Sequence, residues 1–326
     1  MNKPVLRALL LFSAATFLVG CKSAPRELIL QREWTANAEF AGDVWASTIA
    51  QQHGLKLDVR EGSEIIDPIK LVRANIAQFG VASADRVLRE NENGAGLVIL
   101  AAATYRSPVV FLTHPAAKIN SPADFKGRRI GIQPGTNTDL ILRALIRTVP
   151  LTSKDMEIVD SGWGTTNFES GRLDVLGAFD YDEPVQLDLK KVPYNMILPE
   201  NYGVRFVGTV YFASRSFVQK NPEIVQTFMN CLVDGWSHAL SHQTDAINMV
   251  GARFPAMDES KELLSLARGK VYFAGEDGKL LYASEDRWNA MGRELVSLGV
   301  LHQFVFSDNV DYRFLDVALN STTPSQ

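Results

Sequence analysis

The segment Gly135-Thr136-Asn137-Thr138 places a glycine and three polar residues at a predicted strand-to-helix turn. Backbone N–H groups at such a turn are free, and together with the helix dipole they attract anions. The hydroxyls of Thr136 and Thr138 would add two donors. The same residues would also suit an ordinary helix N-cap, with Asn137 or Thr138 as the capping residue. The turn is therefore predicted to be either an anion site or a cap.

Aromatic side chains in loops are candidates for stacking on a flat heterocycle. Trp34 follows the first predicted strand, and Trp163 lies in the loop Gly162-Trp163-Gly164, where a ring has little core to pack into. Tyr181 and Phe40 are weaker candidates of the same kind. The alternative for each ring is packing within the protein.

Three carboxylates occur close together, at Asp180, Asp182 and Glu183. One or two of them could accept hydrogen bonds from a ligand amine or ring N–H, and an acidic pocket would favour a cationic or amino-bearing ligand. Paired carboxylates also catalyse glycoside hydrolysis, but that reaction needs two groups positioned across a cleft. Solvated loop charge is the alternative interpretation of Asp180 and Asp182.

Other patterns associated with catalysis are weak or missing in this sequence. His238 and His242 have i, i+4 spacing on a predicted helix, but no glutamate base lies between them, and an exposed helix face accounts for the pair. Cys231 lies in the apolar run 228–232 and is predicted to be a buried core thiol. No phosphate loop, dinucleotide fingerprint or Gly-x-Ser-x-Gly motif occurs. We therefore expect no enzyme activity, no catalytic residues, no metal and no cofactor.

The composition is that of a mildly acidic globular protein. The chain has 326 residues, with 33 Lys and Arg against 37 Asp and Glu and a hydrophobic fraction of 46%. An acidic balance argues against nucleic-acid binding, which uses a basic face. The length suits one large or two medium domains, with ample material for a core.

The N-terminus has the parts of an export signal. Lys3 and Arg7 are positive, and residues 8–19 are apolar or small but too few to span a bilayer comfortably. The tetrapeptide Leu18-Val19-Gly20-Cys21 follows and resembles the lipobox of bacterial lipoproteins. An ordinary signal with a coincidental cysteine is the alternative.

The lipobox resemblance implies a signal peptide over residues 1–20 and a diacylglycerol on Cys21. We expect residues 21–27 to form a tether. No later stretch reaches transmembrane length, so the lipid is the expected anchor. The protein is therefore expected on an extracytoplasmic face of the cell envelope, held to a membrane.

Strand and helix patterns alternate along the rest of the chain, as in an α/β protein with a largely parallel sheet. The first unit has predicted strands at 28–31, 55–59, 79–82, 97–103 and 109–113 and helices at 41–52 and 67–75. The second unit has predicted strands at 129–132, 156–159, 175–179, 195–198 and 206–213 and a helix at 138–147. From Pro222 onward the chain is predicted to be mainly helical.

Two such units, with apolar strands near 110 and 210, predict two lobes joined by two crossover strands. Lobe 1 is expected to comprise residues 28–112 and 207–320 and lobe 2 residues 113–206, with a tail at 321–326. The crossovers would act as a hinge. A ligand cleft is then expected between the lobes, at the carboxyl ends of the strands.

Motifs in a fixed order resemble one group of ABC-transporter substrate-binding proteins, which bind thiamine pyrimidine precursors, riboflavin, alkanesulfonates, nitrate or taurine. Trp34-Thr35-Ala36-Asn37 resembles the Trp-Thr-Pro-Asn segment that follows strand one in this group. The segment 79–85 resembles its Asp-Phe-Gly-Ile segment, and Asp182-Glu183-Pro184 resembles its Asn-Glu-Pro corner. With further matches at 121–131 and 170–175, the resemblance covers roughly residues 28–320.

The resemblance implies a two-lobed periplasmic-binding-protein fold of type II, with two crossover hinge strands and a helical C-terminal region. It implies a monomeric solute-binding component of an ABC importer, with a membrane permease as partner and a small heterocycle, similar to a pyrimidine or vitamin precursor, as ligand. A sulfonate or other small anion is the alternative ligand, and a sensor or partner-binding lipoprotein without transport is the alternative function. The expected ligand-binding residues are Trp34, Asn37, Phe40, Asp85, Gly135, Thr136, Asn137, Thr138, Trp163, Tyr181, Asp182 and Glu183.

Three departures from the group's pattern bear on the ligand rather than on the fold. Phe40 stands where a histidine often occurs, Asp182 replaces the corner asparagine, and the segment 75–78 replaces Gly-Lys-x-Asp. Some relatives synthesise pyrimidines with a cysteine cluster, which this chain lacks, so that activity is not expected.

Overall fold

The computed structural model describes residues 26–321, which form two five-stranded sheets with covering helices. The predicted signal peptide, the lipid site at Cys21 and most of the predicted tail lie outside this range. The first strand begins at Arg26, so the predicted tether 21–27 extends too far, into residues that already pair with a neighbouring strand. No helix of the described residues is long and apolar enough to cross a membrane.

The first sheet has the strand order β2-β1-β3-β10-β4. Its strands are β1 (Arg26–Gln31), β2 (Leu55–Arg60), β3 (Phe79–Ser83), β4 (Leu97–Ala102) and β10 (Thr209–Ser214). β1 runs parallel to β2 and β3, whereas β10 runs antiparallel to β3 and β4. β4 is buried along its whole length, as its uninterrupted apolar sequence predicts.

The second sheet has the strand order β7-β6-β8-β5-β9. Its strands are β5 (Val109–Thr113), β6 (Arg129–Ile132), β7 (Glu157–Asp160), β8 (Val175–Phe179) and β9 (Asn195–Ile197). β6 runs parallel to β7 and β8, whereas β5 runs antiparallel to β8 and β9. We call each sheet with its covering helices lobe 1 and lobe 2.

The chain passes between the sheets twice, through the crossovers 103–108 and 198–208. β5 and β10 each come directly out of a crossover and run against their neighbours, so the predicted largely parallel sheet is two mixed sheets. The predicted lobe boundary after residue 112 falls inside β5. Because β5 pairs only with β8 and β9, the whole strand belongs to lobe 2.

Thirteen α-helices occur in the described part of the chain. They are α1 (Ala41–Gln52), α2 (Pro68–Arg73), α3 (Ala84–Glu92), α4 (Asn137–Ile146), α5 (Thr166–Glu169), α6 (Glu183–Leu189), α7 (Arg215–Lys220), α8 (Pro222–Ser241), α9 (Gln243–Arg253), α10 (Glu259–Phe273), α11 (Glu285–Ser297), α12 (Phe306–Asn309) and α13 (Arg313–Ser321). The helical region after Pro222 is therefore confirmed. Its last part returns to lobe 1, where Val310 bridges to Ile99 of β4.

α1 and α8 pack closely because glycines lie at their crossing. A Cβ on Gly42 would come within 2.2 Å of the Trp236 ring, and one on Gly235 within 2.5 Å of the Gly42 carbonyl oxygen. Trp236 is fully buried there. This contact fixes α8 on α1 and so fixes the loop between β1 and α1, which carries part of the predicted site.

Candidate ligand-binding cleft

Loops at the carboxyl ends of strands in both lobes meet across a cleft. They are the loops after β1 and β2 in lobe 1 and those after β7 and β8 in lobe 2. The crossovers pair with each other through the backbone, from Ser107 N to Phe206 O at 2.8 Å and from Gly208 N to Thr104 O at 3.1 Å. A cleft at strand ends beside a two-segment hinge is the usual ligand position in such folds.

Trp34 and Trp163 contact each other across the cleft, one from each lobe. Their ring centroids are 4.3 Å apart and their planes are inclined by 39°. Trp163 remains 57% exposed, and its indole Nε1 donates to Glu64 Oε1 at 2.6 Å. The structure thus brings the two predicted stacking residues together beside a carboxylate.

Tyr181 makes a second contact between the lobes. Its hydroxyl donates to Glu39 Oε1 at 2.6 Å, while Arg32 Nη2 donates to Glu39 Oε2 at 2.7 Å. Burial and the Glu39 charge raise the pKa of Tyr181 well above its usual value, so the phenol stays a donor. Tyr181 is therefore positioned by Glu39 and is 97% buried, rather than presented as a stacking platform.

Glu39 belongs to a buried hydrogen-bond chain that reaches the core of lobe 1. Arg32 donates to Asp43, and Asp43 accepts from the Tyr211 hydroxyl. Trp236 Nε1 in turn donates to the Tyr211 oxygen at 2.6 Å. Burial alone would lower the pKa of Arg32, but Asp43 and Glu39 outweigh it and raise that pKa. The guanidinium therefore stays charged and holds both carboxylates.

Asp180 and Asp182 pair with cations on α10 of lobe 1. Arg268 donates to Asp180 Oδ1 from Nε at 2.9 Å and from Nη2 at 2.8 Å, and the Tyr272 hydroxyl donates to Asp180 Oδ2 at 2.6 Å. Lys261 forms an ion pair with Asp182. Both carboxylates thus bond cations of lobe 1 from lobe 2, and the Asp182 side chain stays 39% exposed.

Glu183, at the first position of α6, accepts a hydrogen bond from Phe179 N through Oε2 at 2.8 Å. Burial and the neighbouring Asp182 raise the pKa of Glu183 to about 7. Since its carboxyl oxygen Oε1 has no hydrogen-bond partner among residues 26–321, this group keeps capacity for a ligand donor.

The turn before α4 is occupied by the protein's own side chains. Gly135 N donates to Asp139 Oδ2 at 3.1 Å, and Thr136 Oγ1 donates to Gln133 O at 2.7 Å. Asp139, in the first turn of α4, thus places a carboxylate beside the helix N-terminus, while the hydrogen bond it accepts comes from Gly135, which precedes the helix. Thr136, and neither Asn137 nor Thr138, holds the N-cap position, and its side chain makes no capping hydrogen bond, so the anion site and the cap both stay predictions.

Several predicted ligand residues have structural roles that the sequence did not indicate. Phe40 is 1% exposed and packs edge-on against Phe254, so it is a core residue of lobe 1. Asp85 is 4% exposed, and Thr138 is 3% exposed with its methyl group over Gly177. The prediction that these three side chains line the cleft is corrected, because each packs inside its lobe. Asn37 accepts a hydrogen bond from Glu39 N at 2.9 Å and caps the turn Ala38–Phe40.

Sequence reasoning missed the face of α10 that contacts lobe 2. Lys261, Ser265, Arg268 and Tyr272 have i, i+4, i+7 and i+11 spacing, which places them on one side of a helix. All four side chains carry polar groups, and other, apolar residues of α10 form the face that packs on the core. That polar stripe was the signal available in the sequence. Glu39 and Glu64 were missed as well, and isolated glutamates in loops carry no comparable signal.

The remaining candidates for chemistry, His238 and Cys231, are packed against neighbouring residues. Among the described residues no group of three or more His, Cys, Asp or Glu could hold a metal ion. His238 stacks between Trp45 and His242, with centroids 4.1 Å from each. Burial raises the pKa of the Cys231 thiol to about 11, which keeps it protonated.

Comparison with protein families gives a match over more than half of the chain. The family described as NMT1/THI5 like matches residues 51–246, a segment that runs from the end of α1 into α9 and includes both crossovers and all of lobe 2. The chain belongs to the NMT1/THI5-like family.

The proteins that are similar to this chain have names that indicate different functions. A Haemophilus influenzae protein named "Putative thiamine biosynthesis protein" is 24% identical over 232 residues, which is 68% of this chain and 72% of that protein. The alkanesulfonate-binding protein SsuA from Xanthomonas axonopodis pv. citri, solved with MOPS, is 16% identical with a TM-score of 0.65, covering 89% of this chain and 99% of that one. The desulfurization enzyme DSZB is 17% identical with a TM-score of 0.61, covering 90% and 99%. At these identities the structures establish the shared two-lobed periplasmic-binding-protein fold, which serves both binding proteins and an enzyme.

Proposed function

We propose that this NMT1/THI5-like protein is the solute-binding component of an ABC importer and that its ligand is a small heterocycle bearing an amine or a positive charge. The Trp34–Trp163 pair across the cleft carries the proposal. A flat ring that enters when the lobes separate would exchange the indole–indole contact for stacking on both indoles. The two lobes would then close around the ring, and a membrane permease would bind this closed form of the protein.

The charge around the tryptophans supports an amine or cation. Glu64 accepts from the Trp163 indole, and Glu61 accepts from Ala36 N at 3.1 Å. No cationic side chain of the described chain forms an ion pair with either glutamate. A ligand amine would therefore meet carboxylates that lack a positive partner, and charge-assisted hydrogen bonds to them are the stronger kind. Glu183, with one oxygen open, adds a third acceptor from lobe 2.

A sulfonate or other anion fits this cleft less well. Asp139, in the first turn of α4, already places a carboxylate beside the N-terminus of that helix. An anionic ligand stacked on the tryptophans would in addition approach Glu61 and Glu64. The similarity to an alkanesulfonate-binding protein concerns the fold and leaves the ligand open.

Binding without covalent chemistry is part of the proposal. The buried thiol of Cys231 is protonated at neutral pH and lies on α8 in the core of lobe 1. Glu39, Asp180 and Asp182 are held by arginine or lysine. Affinity would come from stacking, carboxylate acceptors and lobe closure.

The predicted lipid anchor at Cys21 fits the same role. A chain tethered beside its permease gains effective concentration without any new contact. A sensor or partner-binding lipoprotein would use the same anchor and cleft. A measurement of solute uptake distinguishes a transport component from a sensor or partner-binding lipoprotein. Loss of a transport component abolishes uptake, whereas loss of a sensor or partner-binding lipoprotein leaves uptake unchanged.

A thermal-shift panel tests the ligand class. Aminopyrimidines, flavins, alkanesulfonates and nitrate are added separately to the protein that lacks residues 1–20. Ligand at 100 times its Kd adds about 2.7 kcal/mol to the free energy of unfolding, so a true ligand gives a clear shift. We expect an amino heterocycle to stabilise the protein and sulfonates not to. Stabilisation by sulfonates alone, or by nothing in the panel, would overturn the proposal.

A further inference from the structure

Tyr272, in the last turn of α10, contacts the hinge as well as lobe 2. Its hydroxyl donates to Asp180 Oδ2 of lobe 2 at 2.6 Å, and its carbonyl oxygen accepts from Tyr105 N of the first crossover at 3.2 Å. The Arg106 guanidinium lies over its ring, 4.8 Å from the centroid. Tyr272 is therefore attached to the hinge by its backbone and its ring, and to lobe 2 by its hydroxyl.

Asp180 is attached to the other end of the same crossover. Asp180 N donates to Pro108 O at 2.9 Å, and β5 begins at the next residue, Val109. Tyr272 thus holds the crossover at Tyr105, while Asp180 holds it at Pro108. The hydrogen bond between the two side chains spans only two intervening residues, so its length depends directly on their backbone angles.

The sequence of this short segment concentrates bending at Arg106. Pro108 has a fixed φ angle, and a residue before proline, here Ser107, is restricted to extended conformations. Arg106 is then the intervening residue with the most backbone freedom. Its side chain is held by the Tyr272 ring and by Glu200 of the second crossover, whose Oε2 accepts from Arg106 Nη1 at 2.8 Å.

The surroundings of Tyr272 favour both of its side-chain contacts. Burial and the hydrogen bond to Asp180 raise the pKa of the Tyr272 phenol, so it stays protonated and donates. A guanidinium over an aromatic face is attracted by the ring, and more strongly where water is excluded. Arg268 donates to the other oxygen of Asp180, Oδ1, so the Tyr272 bond can be removed separately.

We propose that Tyr272 is a positioning residue for lobe closure, which staples the first crossover in the geometry of this structure. The proposal rests on the proposed function, in which ligand capture proceeds by closing the two lobes. Opening would bend the chain at Arg106, carry Asp180 away from the Tyr272 hydroxyl and move the guanidinium off the ring. Tyr272 lies beside the hinge rather than at the tryptophan pair, so it would change affinity through closure.

Small-angle X-ray scattering of the ligand-free protein tests the staple without any ligand. Tyr272→Phe removes the hydroxyl and keeps the ring under Arg106. We expect a larger radius of gyration for this variant than for wild type, because the closed form loses its bond to Asp180. An equal radius of gyration would overturn the proposal.

Tyr312→Phe is the matched control. Tyr312 is also buried, and its hydroxyl accepts from Trp288 Nε1 at 2.9 Å, but both residues belong to lobe 1. The control should lower the Tm and leave the radius of gyration unchanged. Equal increases of that radius in Tyr312→Phe and Tyr272→Phe would show that loss of any buried hydroxyl loosens the protein, which would also contradict the staple.

The rate of ligand dissociation separates a staple from simple packing. The probe is an aminopyrimidine, and its binding is followed by stopped-flow tryptophan fluorescence. We expect Tyr272→Phe to raise koff about tenfold with little change of kon, because the hydroxyl bond breaks each time the cleft opens. A lower Tm with an unchanged koff would assign Tyr272 to packing alone and overturn the proposal. Failure of the aminopyrimidine to bind at all would count against the proposed function, while the scattering result would still decide on the staple.

A crystal structure of an open form gives the most direct view. We expect the Tyr272 hydroxyl to lie beyond hydrogen-bond distance of Asp180 Oδ2, with changed backbone angles at Arg106. An intact bond in an open form would overturn the proposal.

Discussion

The Tyr181 hydroxyl donates to Glu39 Oε1 at 2.6 Å and thereby joins the end of β8 in lobe 2 to the turn before α1 in lobe 1. The other oxygen of Glu39 is bonded to Arg32, which is itself fixed by Asp43 within lobe 1. If the lobes separate as the proposed function requires, Glu39 keeps its cation and Tyr181 loses its partner. This hydrogen bond would then belong to the closed form alone.

Replacement of Tyr181 by phenylalanine should weaken ligand binding about tenfold. A hydrogen bond to a charged group contributes about 1.5–3 kcal/mol, and part of it is recovered by water in the open form. The measurement is the Kd by isothermal titration calorimetry. Tyr282→Phe is the control, because the Tyr282 hydroxyl bonds no residue in the described range and does not lie between the lobes. Equal Kd values for Tyr181→Phe and wild type would show that this bond does not stabilise closure.

Arg268→Gln should shift the protein towards an open form. Arg268 on α10 donates to the single oxygen Oδ1 of Asp180 in lobe 2 from two nitrogens, and half-buried charged hydrogen bonds are stronger than exposed ones. We expect a larger radius of gyration by small-angle X-ray scattering and a several-fold weaker Kd.

Arg143→Gln is the matched control for that variant. Arg143 makes the same two-nitrogen contact with Asp139, but within α4 and with its side chain 61% exposed. Exposed pairs of this kind contribute about 0.3–0.5 kcal/mol. Its radius of gyration should equal that of the wild type. If both variants behave alike, the α10 contacts do not control closure.

Asp85 should make the protein less stable as the pH rises. Burial raises its pKa to about 6 in the folded chain, so the folded state binds its proton more tightly than the unfolded state does. At low pH the Asp85 carboxyl is neutral and its burial is tolerated. Between about pH 4 and pH 6 this carboxyl lowers the free energy of unfolding by an amount that grows to roughly 3 kcal/mol. Urea unfolding at pH 4 and pH 7.5 should therefore show Asp85→Asn gaining stability relative to wild type as the pH rises.

Asp174→Asn controls for the general effect of pH. Hydrogen bonds from Arg129 lower the pKa of Asp174, so its contribution is lost only as the pH falls below the usual aspartate range. The difference between Asp174→Asn and wild type should stay constant from pH 4.5 to 7.5. A flat difference for Asp85→Asn over the same range would show that this carboxyl titrates normally. Because Asp85 lies inside lobe 1, its variant should also leave the Kd unchanged.

Local patterns in the sequence predicted most of the strands and helices. The bounds of α1, β6 and β8 agree with the predicted ranges, and Pro68 and Ser284 begin or cap helices as their residue types suggest. These features depend on periodicity and on capping chemistry within a few residues. The antiparallel direction of β5 and β10 depends instead on the path between sheets, which no local pattern encodes.

The site was predicted in part for the same reason. Trp163 was recognisable as a ligand candidate because glycines on both sides leave its ring outside any core. Phe40 and Asp85 occur in similar motif positions, yet both are buried. Phe40 packs against Phe254, just after α9, and this contact depends on packing between distant segments. Asp182 was expected to meet a ligand but meets Lys261, a partner far away in the sequence. Which charges find partners is decided by the tertiary fold.

Cys21→Ala should release the protein from membranes without altering the cleft. In the proposal the lipid is the anchor, and the described residues contain no helix that is long and apolar enough to cross a membrane. We expect the variant in the soluble fraction after export, with an unchanged Kd. Fractionation with membranes despite the substitution would mean that another segment or a partner holds the protein there.

Trp163→Ala tests the central claim that a flat, amine-bearing ligand is held between the two indoles. Trp163 is 57% exposed, so its loss should hardly change the free energy of unfolding. Base–aromatic stacking contributes about 1–3 kcal/mol, which corresponds to a 5- to 150-fold change in Kd. Calorimetry with the stabilising aminoheterocycle should show that loss in Trp163→Ala and partial recovery in Trp163→Phe. An unchanged Kd in Trp163→Ala would contradict the account.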